Sequence, residues 1–326
     1  MKAMLLHEFG GSFELADIEK PAVGPGQVLI EVHASSVNPI DTKIRAGAVP
    51  AVSPELPGVL HGDVAGVVAE LGEGVSEFAV GDRVYGVCGG FKGHDGALAQ
   101  FMRADASALA LMPKNLDFAE AAALPLAACT AWISLFDKGG LQAGQQVLVQ
   151  GGTGGVGHIA VQLAAAAGAE VTATVSSDEK AEYARRLGAN HTLRYDRWED
   201  EQPAAAKRWD LVLDTPGGNS LNRSMEACRP MGTIVGIAGR SDHNLGLLHT
   251  QELTLKFTFL IAYFVRPDKN RAELGQMLSK MTRMVEQGTL TPMVAESFPM
   301  SQVNQAHARL EAGGFMGKIV LTADFD

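Results

Sequence analysis

Cysteine is nearly missing from this chain. Cys88, Cys129 and Cys228 are scattered through 326 residues with no C-x-x-C pair. That excludes a disulfide framework and a zinc-finger spacing, and it suits a reducing compartment. Aromatic residues are scarce, at 6%, so the core must be built mainly from Ala, Val, Leu and Ile. Positive charge is in deficit: 27 Lys and Arg against 37 Asp and Glu leave a net charge of −10. Such a surface argues against nucleic acid or an anionic membrane as main partner, though not against a local basic pocket for a phosphate. No apolar run approaches bilayer-spanning length, and the opening MKAMLLHEFGG passes into a strand-like pattern without an apolar leader core. The expectation is a soluble, cytoplasmic protein. No Ser/His/Asp triad or paired-carboxylate arrangement is evident either.

What is present is an ordinary globular balance, 46% hydrophobic and 20% charged, in a chain long enough for two domains. The first third reads as β-rich. Strand patterns at Gln27–His33, Asp63–Glu70 and Arg83–Val87 are punctuated by glycine, which suggests a small barrel or partly open sheet. Character changes near Asp117, where Asp117 and Glu120 form a capping-box variant ahead of an Ala-rich helix through Phe136, interrupted by Pro125. From there strands alternate with helices: strands at 146–149, 170–175, 211–214 and 233–237, with helices at 158–167, 178–187 and 220–228 between them. That alternation predicts a doubly wound parallel sheet. Thr254–Ala262, TLKFTFLIA, is predicted as its last strand. Arg271–Gln287 follows as a helix whose Met and Leu residues are core positions, and Lys318–Thr322 is a closing strand.

The most informative stretch is LVQGGTGGVG, residues 148–157. Gly152, Gly154 and Gly157 satisfy G-x-G-x-x-G between an apolar strand and a helix pattern, the context that gives the motif meaning. The glycines permit a tight turn and close approach of a pyrophosphate, and the helix start supplies free amides and a positive dipole end. A dinucleotide cofactor is the reading. The second strand of the unit then ends Thr174-Val175-Ser176-Ser177, with no carboxylate at its tip to hold ribose hydroxyls. Ser176, Ser177 and Lys180 offer hydroxyls and a cation for a 2′-phosphate, and Asp178 is read as the cap of the next helix. These residues favour NADPH over NADH.

With those residues in view, the chain resembles the medium-chain dehydrogenase/reductase superfamily, and within it the zinc-free quinone oxidoreductase and enone reductase branch. The segments that carry the resemblance are NPIDTKIR (38–45), LHGDVAGVV (60–68), VGDRVYG (80–86), AAALPLAACTAW (121–132), the glycine loop, and GKIVL (317–321). The resemblance implies an α/β protein in which a doubly wound Rossmann sheet, residues 123–263, is inserted in a β-rich GroES-like catalytic domain, residues 1–122 and 264–326. Zinc-dependent relatives hold catalytic metal at positions that correspond here to Asn38, Gly62 and Leu126, none a ligand type. No metal is therefore expected, and acceptors that are already electrophilic are favoured.

The resemblance also implies roles. Asn38 would lie beside nicotinamide and substrate, and Thr130 would contact the nicotinamide side. Gly152, Gly154, Gly155, Val156 and Gly157 would hold the pyrophosphate, and Tyr195 would join Ser176, Ser177 and Lys180 at the 2′-phosphate. Gly239 and Arg240 would line the cofactor groove, and Gly317 and Lys318 would close over the phosphate end. Asn38, Lys43 and Tyr85 are the catalytic candidates, Lys43 as a cation for an enolate oxygen. The expected activity is NADPH-dependent hydride transfer to a quinone or an α,β-unsaturated carbonyl. A zinc-type alcohol dehydrogenase with displaced ligands (Cys88, His61, Asp63) and a non-catalytic NADPH-binding protein remain as alternatives. A homodimer through the edge strand 254–262 is expected.

Overall fold

The computed structural model describes residues 1–201, 208–239 and 241–325. In chain order its strands are β1 (Lys2–Leu6), β2 (Phe13–Asp17), β3 (Gln27–Val37), β4 (Gly58–Val59), β5 (Asp63–Leu71), β6 (Arg83–Val87), β7 (Phe101–Asp105), β8 (Leu109–Leu111), β9 (Gln146–Gln150), β10 (Glu170–Val175), β11 (His191–Arg194), β12 (Trp209–Asp214), β13 (Cys228–Gly236), β14 (Thr254–Phe257), β15 (Val294–Pro299) and β16 (Lys318–Thr322). They fall into two compact units. One comprises Met1–Leu126, Leu260–Gly288 and Pro292–Asp326; the other comprises Ala127–Phe259 and Thr289–Thr291.

The first unit is built around β3. This strand continues past His33 to Val37 because its last four residues, Ala34–Val37, pair antiparallel with β16. Its other neighbours are β5 and β7, in a sheet ordered β15-β16-β3-β5-β6-β8 with β7 also on β3. The extra length delivers the chain to Asn38, which starts the helix Pro39–Arg45 with proline in its first turn, where the missing N–H costs nothing.

The second unit is a six-stranded sheet ordered β11-β10-β9-β12-β13-β14, parallel throughout. Val147, Leu148 and Val149 of β9 are fully buried at its centre. The chain runs outward from β9 through β10 to β11, then resumes on the other side with β12. Strand order therefore reverses at β9, and ligands of such sheets sit outside the carboxyl ends of the strands at that point. The Asp117 capping box is realised, with each residue's backbone N–H bonded to the other's carboxylate at 2.8 and 3.0 Å. The predicted helix beyond it is broken into Phe118–Ala122, Pro125–Trp132 and a wider-wound turn Ile133–Lys138.

The strand predicted over 254–262 is cut short. β14 ends at Phe257, and Ala262–Val265 is helical. Residues Leu260 to Phe264 are all buried in the first unit, so tertiary burial overrides their β-propensity. Among the described residues, no helix is long and apolar enough to cross a membrane.

Candidate functional site

The glycine loop sits at the carboxyl end of β9 and leads into the helix Gly157–Ala166. Its three motif glycines do different work. A Cβ on Gly157 would lie 2.0 Å from the carbonyl oxygen of Gly151, and one on Gly152 would lie 2.6 Å from the Cβ of Ala173. Those two are demanded by the fold. A Cβ on Gly154 would meet only the Gly151 oxygen, at 3.4 Å, so its bareness serves nothing inside the chain and leaves a backbone edge open to a ligand. Val156 stands at the N-cap without a side-chain cap, so a bound anion has the helix start to itself. Both the backbone N–H and Nδ1 of His158 reach the Gly154 carbonyl, at 3.0 and 2.9 Å. This clamp was not anticipated. A pyrophosphate fits such a cradle, and Gly155 lies within it.

At the tip of β10, Ser177 caps the helix Asp178–Arg186: its Oγ accepts the Lys180 N–H at 3.2 Å. The cap is therefore Ser177 and not Asp178, whose carboxylate bonds Arg194 Nη1 at 3.1 Å. Ser176 and Lys180 are half-buried beside it, and Tyr195 is exposed in the turn after β11. Thr130 is buried in the helix Pro125–Trp132. A Cβ on Gly239 would press on the Phe257 ring at 2.9 Å; Arg240 lies outside the described residues.

In the first unit, five buried polar side chains, Ser36, Asn38, Asp41, Asp63 and Lys318, meet at the end of β3. The Asn38 N–H donates to Asp41 Oδ2 at 2.7 Å, and Asn38 Nδ2 donates to Asp63 Oδ2 at 2.8 Å. Lys318 donates to the Asn38 side-chain oxygen and, at 3.1 Å, to the Val37 carbonyl. Asp63 also accepts from Ser36 Oγ at 2.5 Å and from the Leu126 N–H at 2.8 Å. Both ends of the Asn38 amide are thus fixed. Burial dominates the titration of Asp41 and Lys318. It raises Asp41 to about 7, and Asp63 adds to the rise; it lowers Lys318, while Asp63 and Asp41 oppose that.

Three expectations change here. Lys318 was expected to close over a phosphate; its ammonium instead turns inward to Asn38. Gly317 is required because φ is +75° and a Cβ would come within 2.3 Å of the Met293 carbonyl oxygen. Tyr85 is fully buried, and its hydroxyl donates to the Leu278 carbonyl at 2.8 Å, which makes it a packing anchor rather than a group at the acceptor. Lys43 is exposed on the helix that Asn38 starts.

The displaced zinc set is not assembled. His61 Nε2 faces His307 Nε2 at 2.8 Å, and Asp63 is engaged as above. Among the described residues, no three His, Cys, Asp or Glu side chains are grouped to hold a metal ion. His61 is held at φ +73°, a conformation costly for a residue with a Cβ. Burial keeps both imidazoles neutral, with His307 lowered to about 3.

Comparison with known proteins places relatives along most of the chain. Residues 24–114 match the alcohol dehydrogenase GroES-like domain, and residues 155–283 match the zinc-binding dehydrogenase family. A quinone oxidoreductase from Rattus norvegicus is 31% identical over 98% of this chain and 97% of its own length. An NADPH-dependent alkenal/one oxidoreductase from Arabidopsis thaliana is 33% identical over 98% of this chain and 79% of its own. The crystal structure of an alcohol dehydrogenase superfamily protein from Novosphingobium aromaticivorans superposes with a TM-score of 0.93 at 37% identity, covering 99% of this chain and all of that one.

Proposed function

The chain belongs to the medium-chain dehydrogenase/reductase superfamily and is an oxidoreductase using a nicotinamide cofactor; from that membership we propose that it reduces quinones or α,β-unsaturated carbonyls with NADPH and without a catalytic metal. The observation that supports this reading is the locking of Asn38, which the resemblance sets at a zinc-ligand position, by Lys318 and Asp63.

When bound, the cofactor supplies a hydride. The chain's own residues bind and orient. The glycine loop and helix start hold the pyrophosphate, Thr130 contacts the cofactor, and Ser176, Ser177, Lys180 and Tyr195 surround the ribose phosphate. Asn38 would polarise a carbonyl oxygen of the acceptor, where negative charge would grow as hydride adds. Lys43 offers a positive charge on the same helix. An enone would take the hydride at its β-carbon and a solvent proton at its α-carbon; a quinone would take the hydride and a solvent proton to give the quinol. Neither acceptor needs a Lewis acid, being electrophilic already.

A second copy is proposed to pair on β14, the last strand of its sheet, beside exposed Phe257 and Phe259. The activity is tested by following NADPH and NADH consumption against a panel of quinones and enones, with products identified. NADPH turnover that survives chelation supports the proposal; no turnover with any member overturns it.

A further inference from the structure

Val175, the last residue of β10, has Arg194 of β11 as its register partner. The guanidinium of Arg194 therefore lies beside the Ser176–Asp178 turn, although 16 positions separate it from Asp178. Among its contacts are two carboxylates, and they hold it unequally. Asp196 grips Nε and Nη2 together, at 3.0 and 2.8 Å, and sets the plane of the group. Asp178 bonds Nη1 alone, from a side chain 94% exposed, while the Arg194 side chain is only 18% exposed. Asp196 holds it by two bonds and Asp178 by one, and solvent screens the more exposed Asp178 contact most.

We propose that Arg194 is a specificity residue for the phosphorylated cofactor, and that Asp178 is the counter-ion a 2′-phosphate displaces from it. The inference rests on the dinucleotide reading above and deepens it. A phosphate dianion placed between Ser176, Ser177 and Lys180 meets a guanidinium already oriented by Asp196. It can take Nη1 from Asp178 with a stronger, charge-assisted bond. An unphosphorylated ribose offers no such exchange. Its hydroxyls find Asp178 instead, an acceptor sited just beyond the strand tip where such enzymes keep an acid. The pair thus makes the choice between cofactors a competition between one arginine and one aspartate, rather than a matter of Lys180 alone.

The test titrates the full-length protein with adenosine 2′,5′-bisphosphate and with 5′-AMP by calorimetry, and measures KM for NADPH and NADH. Arg194→Gln should lower the preference for the 2′-phosphorylated ligand on the order of tenfold, the value of one charge-assisted hydrogen bond. Asp178→Asn should move the preference the other way, tightening the bisphosphate and weakening NADH. If Arg194→Gln fails to fold, as judged by circular dichroism, Asp178→Asn decides alone. A preference unchanged in the folded variants overturns the Arg194 assignment while leaving NADPH use intact. Wild-type protein that takes up neither nucleotide overturns the cofactor reading, and this inference with it.

Discussion

Asp41 is a carboxyl buried to zero exposure, one oxygen taking the Asn38 N–H. Its folded value, about 7, lies above the ordinary 3.8. Its contribution to stability is therefore complete below about pH 4 and is lost as pH rises toward 7. Asp41→Asn keeps an oxygen for the Asn38 N–H and removes the charge. Thermal unfolding of both proteins from pH 4 to 8 should show the variant's Tm gaining on wild type as pH rises; a constant difference would refute the assignment. Lys318→Met leaves Asp63 buried without its cation, a loss of roughly 3–5 kcal/mol for a broken buried pair. It also releases the Asn38 side-chain oxygen while Nδ2 stays on Asp63, so in whatever folded protein remains kcat should fall. Denaturant unfolding and steady-state kinetics check both. None of this pairing was legible in the sequence. Asn38 and Lys318 stand 280 positions apart, and only the β3–β16 register joins them. Tyr85 was misassigned for a related reason: an alternating strand does not say which of its faces meets a helix.

Among the elements, the glycine loop was legible because its chemistry is local: turn, close approach and helix start occupy ten consecutive residues. The structure adds that its glycines are not equivalent. Gly157→Ala should destabilise the fold, since its Cβ has no room against the Gly151 carbonyl. Gly154→Ala should fold with a Tm near that of wild type yet bind NADPH much more weakly, because its methyl enters only the ligand's space. Melting curves and fluorescence titration of the two variants separate fold from binding; equal losses of both would refute the distinction. The strand predicted over 254–262 shows the opposite case. Propensity read its β-formers correctly as a type, but the burial of Leu260 and its successors is a tertiary fact that no local pattern holds. Arg194 escaped notice likewise, since its tie to Asp178 depends on strand register.

At the scale of the whole molecule, the alternation of strands and helices after residue 146 was enough to read a doubly wound sheet, and the structure has that sheet with its order reversing at β9. Among the described residues β14 is the last strand of its sheet, and it carries the exposed Phe257, a hazard for a lone chain. Light scattering should therefore report a dimer, and a proline at Leu255 should yield monomer or aggregate. A clean wild-type monomer would contradict the proposed pairing.

The central claim is hydride transfer to an already electrophilic acceptor by a chain that needs no metal. It is tested most directly by incubating metal-stripped protein with NADPH deuterated at the transferred position and an enone. The account predicts a saturated ketone carrying deuterium at the β-carbon, formed at the rate of untreated protein. Turnover that vanishes on stripping and returns only with zinc would contradict it.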